Sequence, residues 1–404
     1  MDYIKPIMIT IQMLCGIPLL WGGIVVVLSI FTKNKKLKKS DKKHKFGVVI
    51  CAHNEERTIG LLLNSIGMAD YPGDRYHIFV LAHNCEDNTA DIVRRFDSTT
   101  LIEVNDKEIR SKGALLVKKL PELLDEYCDD IDAITFFDAD NVVDKGYFEA
   151  MNDHIAAGEK IIMGDRQAGG SLHSAAEKFM CVYWIVYDAI ISVSRYKVGL
   201  SPMITGTGFT IEKNFLKETP WDTKSITEDV EYSVIALQNG QKVTVCTNAS
   251  FYDEQPDNFR ALTTQLHRWC TGNYEILSIY MGKLLGTMFT DVKKFDMTLN
   301  LFLGPLSVIG LFMFVAVFIL ALVSFDTTVL MVMGVSMVIS YIAVVLITAF
   351  LILRIKRQED KKKLLPVALA TPVFLIYYTL CSFAAWVHPQ RKWVPIRHKG
   401  ISAD

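Results

Sequence analysis

The sequence predicts an α/β domain with a mostly parallel central sheet, attached to α-helical transmembrane spans and interfacial helices. Two observations lead to this prediction. Short apolar runs alternate with helical stretches between residues 46 and 256, which is typical of a mainly parallel sheet with helices on both faces. Four long apolar runs lie outside that region. With 404 residues, a net charge of −1 and 50% hydrophobic residues, the chain is neither a basic nucleic-acid binder nor a disordered protein.

The first apolar run, residues 7–31, is followed by a strongly basic segment. The segment "KNKKLKKSDKKHK" (33–45) carries eight lysines against one acid. Because basic segments beside a membrane span remain on the cytoplasmic side, we expect a transmembrane helix with a basic juxtamembrane end. A solvated basic linker is the alternative. A cleaved signal peptide fits poorly, since the apolar run is too long and the charge follows it.

Three further apolar runs, residues 297–323, 327–353 and 364–387, each exceed the roughly 20 residues that cross a bilayer core. The basic segment "RIKRQEDKKK" (354–363) is expected on the cytoplasmic side. Four crossings would leave the basic C-terminal tail outside, against the same rule. A re-entrant or interfacial C-terminal segment is the alternative, and the number of crossings stays open.

These patterns divide the chain into five predicted parts. They are an N-terminal transmembrane helix with its basic segment (1–45), a cytosolic α/β domain (46–256), a segment with interfacial helices (257–295), transmembrane helices (296–388) and a basic tail (389–404). The eight cysteines are scattered and form no CxxC pair. This spacing predicts a reduced cytosolic domain without structural zinc.

The stretch 172–196 is highly apolar, yet it contains charged residues, namely Glu177, Lys178, Asp188 and Arg195. Charges distributed in this way are expensive in hydrocarbon. We therefore expect an amphipathic helix that lies on the membrane or lines a channel. A buried core helix is the alternative.

Within the α/β domain, strands are predicted over 46–52, 77–82, 99–104 and 133–140, with helical stretches between them. In such sheets, ligands bind at the carboxyl ends of the strands. Polar clusters stand at those ends: "AHNEE" after the first strand, "HNCEDNT" after the second and "DAD" at the end of the fourth. The sequence therefore predicts a ligand site at this edge of the sheet.

Two carboxylates, Asp138 and Asp140 of "FFDADNVV", stand at the exit of the fourth strand. Two such side chains can share a hard divalent cation, which keeps several waters and takes further ligands from substrate phosphates. A D-x-D pattern alone is common, and a turn or a helix cap is the alternative.

A second acidic cluster, Glu228 and Asp229 of "SITEDVEY", follows Thr227 at the start of a predicted amphipathic helix. Thr227 is a plausible N-cap, and acids in the first turn complement the helix dipole. Next to a metal-bound phosphate, Asp229 could instead deprotonate an acceptor hydroxyl. The glycine-rich "TGTGFTI" (205–211) suits a close backbone approach, with a simple loop as the alternative.

The segment "QLHRW" (265–269) precedes the C-terminal spans. Arg268 offers parallel donors to phosphate oxygens, and Gln265 lies three residues back on the same helical face. Trp269 offers a flat apolar surface for a sugar ring. Alone, Arg-Trp before a membrane is most often an interfacial anchor. With two acidic clusters upstream, it completes a set of metal ligands, base, diphosphate clamp and stacking platform.

The motifs "DAD", "TED" and "QLHRW", in this order and followed by membrane spans, resemble the processive, membrane-integrated family 2 glycosyltransferases. That group includes the cellulose, chitin and hyaluronan synthases. The resemblance covers about residues 48–273 and is greatest to the bacterial exopolysaccharide synthases, whose "AxNCxDxT", "FDADN" and "SLTED" patterns are nearly matched.

The resemblance implies a GT-A-type nucleotide-sugar-binding fold and inverting transfer from a UDP-sugar. It also implies roles for individual residues. These are nucleotide contacts from Glu55 and Lys112, a Mg²⁺ or Mn²⁺ ion held by Asp138 and Asp140, a general base at Asp229 with Glu228 beside it in the substrate site, a diphosphate clamp from Gln265 and Arg268, and an acceptor site lined by Trp269.

One position departs from the family pattern. An aspartate usually lies beside the uracil after the second strand, where this chain has His83. A carboxylate accepts from the uracil imide N–H, and a neutral imidazole can still accept with one nitrogen. We expect His83 to keep the contact, with an altered base preference or affinity.

The sequence therefore predicts a multi-pass membrane enzyme with a cytosolic catalytic domain. Its partners would be a UDP-sugar donor, a polysaccharide or lipid-linked acceptor and the lipid bilayer, with coupled export of the product and no nucleic acid. Three alternatives remain. They are a non-processive transferase that adds one sugar to a lipid-linked acceptor, an inactive scaffold or nucleotide-sugar sensor, and a transporter.

Overall fold

The computed structural model describes residues 4–33, 37–170, 172–355 and 358–390. Its chain forms two compact units. The sheet unit comprises Thr32–Ser171 and Arg195–Gln255, and the helical unit comprises Met1–Phe31, Leu172–Ser194 and Pro256–Gln390. Parts of the two basic segments (34–36 and 356–357) and the basic tail from 391 onwards lie outside the described residues.

Helices and strands are numbered along the whole chain. The helical unit contains α1 Ile4–Phe31, α6 Ala175–Tyr187, α10 Phe259–Thr287, α11 Val292–Val323, α12 Thr327–Leu353, α13 Gln358–Leu364 and α14 Thr371–Val387. The sheet unit contains β1 Phe46–Ala52, α2 Ile59–Gly67, β2 Tyr76–His83, α3 Thr89–Val93, β3 Thr99–Val104, α4 Lys112–Glu126, β4 Ala133–Asp138, β5 Val142–Val143, α5 Tyr147–Ala156, β6 Ile161–Gly169, β7 Phe209–Glu212, α8 Lys213–Glu218, α9 Glu228–Gln238 and β8 Thr244–Glu254. The short helix α7, Ser194–Lys197, leads from the helical unit into the sheet unit.

The sheet has eight strands in the order β3-β2-β1-β4-β7-β6-β8-β5. Strands β1 to β4 pair in parallel, and so do β6 and β8. Strand β7 runs antiparallel to both β4 and β6, and β5 runs antiparallel to β8. The prediction of a mostly parallel sheet in an α/β domain is confirmed, with antiparallel strands inserted at β7 and β5.

The apolar runs form strands because both faces of the sheet are covered. Every residue of β1 except Cys51 is buried, as expected for a parallel strand between two helical layers. Helix α2 buries Ile59, Leu62 and Ile66 against this core, at the spacing of one helix face. Strands β1, β2 and β4 therefore bring their carboxyl ends, with the polar clusters predicted there, to one edge.

Among the described residues of the helical unit, four segments are long and apolar enough to cross a membrane. They are Thr10–Phe31, Val292–Val323, Thr327–Leu353 and Asp360–Val387. The last is interrupted by a 3₁₀ turn at Leu365–Ala370, so its continuous α-helix, α14, has 17 residues. At 1.5 Å per residue, this is about 25 Å, near the lower limit for a span.

The stretch 172–196 is helical and largely packed within the helical unit. The sequence predicts that this stretch belongs to the α/β domain of residues 46–256. Ala176, Met180 and Trp184, one turn apart, are buried against α10 and α14. These contacts agree with the alternative of a packed core helix. A π-helical turn, Asp188–Val193, follows α6.

Candidate active site

Asp138 lies where β4 ends, beside the end of β1. The two strands are parallel, and Asp138 pairs with Cys51 in their register. The backbone N–H of Asp138 donates to Thr207 Oγ1 at 2.8 Å, which attaches the strand end to the loop before β7. Loss of solvent around the partly buried Cys51 thiol raises its pKa to about 12, so a neutral thiol adjoins the carboxylate.

Lys112, the first residue of α4, supplies a cation to this edge. Its Nζ donates to Asp138 Oδ1 at 2.5 Å and to the carbonyl oxygen of Gly206 at 2.8 Å. Burial lowers the pKa of Lys112, but the charges of Asp138 and Glu228 outweigh burial and hold the pKa above its ordinary value. Lys112 is therefore a permanent positive charge among carboxylates.

Glu228 begins α9 next to the start of α4. A Cβ atom on Gly113 would lie 2.9 Å from Glu228 Cβ, so a residue without a side chain is needed for the two helix starts to approach. Glu228 is buried. Thr227 occupies the N-cap position of α9, as predicted, but its side chain makes no capping hydrogen bond.

Asp229, in the first turn of α9, faces the glycine-rich loop. A Cβ atom on Gly206 would lie 3.7 Å from Asp229 Oδ2, and Gly206 has a φ of +83°, which side chains rarely adopt. The same glycine accepts from Lys112 through its carbonyl oxygen. The loop 205–208 therefore brings Lys112, with its partner Asp138, and Asp229 to one place.

A buried ion pair, Arg166 of β6 with Asp253 of β8, supports this loop from behind. Nη1 of Arg166 donates to Asp253 Oδ2 at 2.6 Å, and the two side chains are 8% and 10% exposed. Nη2 of Arg166 donates to the carbonyl oxygen of Thr205. The ion pair thus fixes the start of the loop that faces Asp229.

Hydrogen bonds connect this pair to the end of β4. Nδ2 of Asn141 donates to Asp253 Oδ1 at 2.9 Å. Thr207 Oγ1 donates to Asn141 Oδ1 at 2.5 Å and accepts from the Asp138 N–H. Asn141 and Thr207 are buried. One continuous network therefore extends from Arg166 to the backbone of Asp138.

Asp138 and Asp140 have the donor chemistry for a hard divalent cation. Asp140 is buried, and Asn141 Nδ2 lies 3.3 Å from its Oδ1, whereas the Asp138 side chain is 39% exposed. Among the described residues, no group of three or more His, Cys, Asp or Glu side chains could hold a metal ion. Two carboxylates suit Mg²⁺ or Mn²⁺, which completes its shell with water and phosphate oxygens.

His83 ends β2, and its ring is hydrogen-bonded within the sheet unit. Its Nε2 lies 2.8 Å from Asn84 Nδ2, which also donates to the carbonyl oxygen of Asp106 at 2.8 Å. Burial lowers the pKa of His83, so the ring is neutral at pH 7. Asn84 Nδ2 therefore occupies the position beside Nε2 that a uracil N–H would have to take.

Glu55 and His53 follow β1 at the same edge. Glu55 Oε2 accepts from Thr58 Oγ1 at 2.8 Å, and its N–H donates to Thr89 Oγ1 at 2.7 Å. His53 Nδ1 donates to the carbonyl oxygen of His83 at 2.7 Å. These bonds attach the loop after β1 to the loop after β2, on the side predicted to contact the nucleotide.

Gln265, Arg268 and Trp269 lie on α10, in the helical unit. Gln265 Oε1 and Arg268 Nε are buried, and neither has a hydrogen-bond partner in the part of the chain that the structure describes. Buried polar atoms in folded proteins normally have a partner. The combination of one donor and one acceptor on one helical face is what a polar ligand would satisfy.

Trp269 belongs to an aromatic cluster of α6, α10 and α14. Its ring stacks on Tyr183 with centroids 5.9 Å apart and planes at 28°. Trp184 contacts it edge-on at 5.4 Å, and Tyr378 also stacks on Tyr183 at 6.0 Å. The indole is therefore held in one orientation by its neighbours.

The sequence predictions identified the motif residues but not the residues that support them. Lys112, Asp138, Glu228 and Asp229 come together in the sheet unit, while Gln265, Arg268 and Trp269 share a helix of the helical unit. Arg166 and Asp253 were not predicted. The available signal was weak, since each stands in a strand that contains other polar residues as well.

The architecture defines a class of protein. The chain superposes on a mannosyltransferase from Pyrobaculum calidifontis, solved with GDP-Man and Mn²⁺, with a TM-score of 0.66 over 96% of this chain and 99% of the other, at 14% sequence identity. At this identity the likeness establishes the fold alone. The fold is of the GT-A type, and the expectation from the sequence is confirmed.

The pattern of the glycosyltransferase-like family 2 matches residues 44–272, more than half of the chain. The protein belongs to this family, and it is a glycosyltransferase. The match ends just beyond Trp269, so it includes the sheet unit and the "QLHRW" segment. The resemblance to family 2 is thereby confirmed. Membership of the processive branch of that family stays a prediction.

Three relatives show the range of the family around this chain. A probable glycosyltransferase of Bacillus subtilis, YdaM, is 25% identical over 79% of this chain and 77% of its own length. The beta-monoglucosyldiacylglycerol synthase of Synechocystis sp. is 24% identical over 56% of this chain and 47% of its own length. The poly-beta-1,6-N-acetyl-D-glucosamine synthase of Staphylococcus aureus is 22% identical over 65% and 62%. The chain thus spans less than two thirds of the last two.

Proposed function

We propose that the enzyme transfers a sugar, with inversion, from a nucleotide-sugar to an acceptor hydroxyl at the cytosolic face of a membrane. The observation that carries this proposal is the arrangement of Lys112, Asp138 and Asp229 around the loop 205–208. A cation, a metal-binding carboxylate and a candidate base on one loop suit a reaction in which a diphosphate leaves as a hydroxyl attacks.

The chain's own residues perform the binding and proton transfer in this proposal. Asp229 accepts the proton of the acceptor hydroxyl. At the same time the hydroxyl oxygen forms a bond to the anomeric carbon of the donor sugar, and the bond from that carbon to the diphosphate breaks. Lys112 binds the diphosphate. Gln265 and Arg268 are proposed to clamp it as well. The buried Arg268 Nε lacks a partner in the described chain and can donate to a phosphate oxygen, whereas Gln265 would have to donate through its Nε2.

Asp138 and Asp140 would hold Mg²⁺ or Mn²⁺. The ion, when bound, would neutralise the charge that develops on the departing diphosphate. The likeness to a mannosyltransferase solved with Mn²⁺ supports this assignment, as does the donor chemistry of the two carboxylates.

A UDP-sugar is the proposed donor, and a GDP-sugar is the alternative. His83 stands where the family pattern has an aspartate, and its Nε2 is hydrogen-bonded to Asn84, so the base contact of the family is altered. The structural relative solved with GDP-Man gives a specific reason to test guanine nucleotides.

The acceptor is proposed to be a growing polysaccharide that passes through the membrane helices. Four segments of spanning length, the oriented ring of Trp269 and the S. aureus polysaccharide synthase among the relatives support a polymer product. Addition of one sugar to a lipid acceptor is the second candidate, and the Synechocystis lipid glucosyltransferase supports it.

Purified full-length protein in lipid nanodiscs tests the proposal. It is offered UDP- and GDP-sugars with Mg²⁺ or Mn²⁺, and release of nucleoside diphosphate is measured with and without EDTA. We expect metal-dependent release with one donor. No release with any donor, in the presence of lipid and oligosaccharide acceptors, would contradict the proposal and would favour a scaffold or sensor.

Labelled product separates the two acceptors. A ladder of lengths on a gel supports polymerisation. A single organic-soluble product one sugar larger than the lipid acceptor supports the second candidate.

A further inference from the structure

The cation Lys112 and the carboxylate Asp138, which is proposed to bind the metal ion, are already paired in this enzyme. Lys112 Nζ contacts Asp138 Oδ1 at 2.5 Å, and the lysine and aspartate side chains are 20% and 39% exposed. A second bond, to the Gly206 carbonyl oxygen at 2.8 Å, fixes the ammonium group beside the carboxylate. The buried Glu228 adjoins the same helix start. The positive charge needed at Asp138 is therefore supplied by the chain itself.

We propose that Lys112 is the resident counter-ion of Asp138, and that it passes from Asp138 to the diphosphate when the donor enters. The metal ion would then bind Asp138 together with the nucleotide and not before it. This inference rests on the proposed function, because it concerns the same diphosphate site.

Electrostatics makes the two cations compete in the absence of a nucleotide. An ammonium group on one carboxylate oxygen and a divalent ion on the other would lie within ~5 Å of each other. In a half-buried site their repulsion is weakly screened by solvent. A diphosphate changes the balance because it brings negative oxygens that can bind both cations at once.

The side chain suits such a transfer. Lysine carries a compact charge with three donors on a flexible four-carbon stem, so it can exchange an acceptor without a change of backbone. The backbone around it is fixed: Ser111 caps α4 by accepting from the Ala114 N–H. Gly113 packs against Glu228 with no room for a side chain. The transfer therefore needs only rotation of the Lys112 stem.

Titration of full-length protein in nanodiscs with Mn²⁺, followed by electron paramagnetic resonance without nucleotide, tests the inference. We expect wild-type protein to show no site tighter than roughly millimolar, and Lys112→Met to bind Mn²⁺ at least ~10-fold more tightly, as removal of a like charge from the site implies. The control is Lys118→Met. Lys118 lies on the same helix and pairs with Asp106 at 2.6 Å, but it is 51% exposed, so its removal should leave the Mn²⁺ titration unchanged.

A micromolar Mn²⁺ site in nucleotide-free wild-type protein would overturn the inference. An unchanged titration of a folded Lys112→Met protein would do the same. Lys112→Gln serves as a second variant, and thermal unfolding checks that each variant folds. If neither folds, the wild-type titration alone decides.

Nucleoside diphosphate provides the complementary measurement. Added to wild-type protein, it should bring Mn²⁺ into the site. In Lys112→Met its affinity should fall by about 10-fold, the usual effect of losing one charge-assisted bond. Because the Mn²⁺ titration uses no donor sugar, it can fail while turnover is found, or succeed while no donor is turned over. The inference and the proposed function are therefore separable.

Discussion

Two regions of the molecule present polar groups to a ligand in opposite ways. One is the strand-end cluster, which consists of Lys112, Asp138, Arg166 and Asp253, and the other is the "QLHRW" segment. In the sheet unit, each of the charges Lys112, Asp138, Arg166 and Asp253 has a charged partner within hydrogen-bond distance. On α10, the buried polar atoms Gln265 Oε1 and Arg268 Nε have no partner among the described residues. The same type of ligand, a diphosphate, is proposed for both.

The difference separates groups that maintain the fold from groups that serve only the ligand. A buried charge that loses its partner destabilises a protein strongly, so substitutions in the buried pair of Arg166 and Asp253 should affect stability as well as activity. A buried polar atom that already lacks a partner has little to lose. Substitutions at Gln265 or Arg268 should therefore reduce activity and leave stability nearly unchanged.

Asp229→Asn should have the largest effect on turnover. An amide cannot take the proton of the acceptor hydroxyl, and loss of a general base costs about 10²–10⁴-fold in rate. Donor affinity should stay within ~3-fold of wild type, because the amide has nearly the same size and Asp229 is proposed to act on the acceptor hydroxyl and not to bind the donor. Release of nucleoside diphosphate gives the rate, and equilibrium titration gives the affinity.

The control for Asp229 is Asp222→Asn, an exposed acid in the loop before α9, which should keep full activity. If Asp229→Asn turned over at a rate near that of wild type, another group would have to be the base.

Arg268→Lys should have the next largest effect. Lysine keeps the charge but loses the planar fork of donors, so kcat/KM for the donor should fall by about 10- to 100-fold, or roughly 1.4–2.8 kcal/mol. The melting temperature should change by less than about 1 °C, because Arg268 Nε has no hydrogen-bond partner among the described residues. Steady-state kinetics and differential scanning fluorimetry measure the two quantities.

Arg260→Lys is the matched control on the same helix, since Arg260 is exposed and should tolerate the change in both measurements. A fall of several degrees in the melting temperature of Arg268→Lys would show that Arg268 maintains the fold. It would remove the contrast between the strand-end cluster and the "QLHRW" segment.

Arg166→Met should lower stability as well as activity. Its partner Asp253 is 10% exposed, and breaking a buried pair costs about 3–5 kcal/mol. The melting temperature should fall by more than about 5 °C. Activity should fall too, since the network from Arg166 extends to the Asp138 backbone.

Arg94→Met supplies the comparison for Arg166, because Arg94 pairs with Glu103 on the surface, where both side chains are about half exposed. Such an exposed pair should contribute little to stability. Equal losses of stability for the two variants would mean that burial of the Arg166 pair is not what stabilises the loop.

These residues also show how far the sequence predicts the molecule. Strands β1 to β4 were predictable because each is an apolar run bounded by polar residues, and parallel pairing brings their ends together. Asp138, Asp229 and Arg268 were predictable because each stands in a short local motif. The roles proposed for them, and the five-part division of the chain, stay predictions.

The ion pair of Arg166 and Asp253 was not predictable in this way. Its members are 87 residues apart and meet because β6 pairs with β8, after a shift in register between Met163 and Asp165. Nothing in the spacing of apolar residues specifies which distant strands become neighbours. The position of residues 172–194 in the helical unit likewise depends on contacts with α10 and α14, and not on local pattern.

The smallest predicted effect is a pH dependence of stability from a pair remote from the site. His154 Nδ1 lies 2.6 Å from Glu159 Oε2, with both side chains 11% exposed. Burial lowers the pKa of His154, but interactions with Cys246 and Glu159 outweigh burial and raise the pKa to about 9. Its folded pKa therefore lies above the ordinary value of 6.5. This contribution to stability is complete below pH 6.5 and is lost as the pH rises towards 9.

His154→Gln should therefore show a smaller fall in melting temperature between pH 6.5 and 9 than the wild type, with a difference of about 1–3 kcal/mol in the free energy of unfolding. Glu159→Gln should reduce the same pH dependence, because it removes the carboxylate that stabilises the imidazolium and leaves the interaction with Cys246. If the melting temperature changes with pH in the same way for the wild type and both variants, the pair of His154 and Glu159 is not ionised in the folded protein. If the activity of the wild type falls over the same pH range as its stability, alkaline inactivation reflects the stability of the sheet unit. It then does not reflect deprotonation of residues in the strand-end cluster.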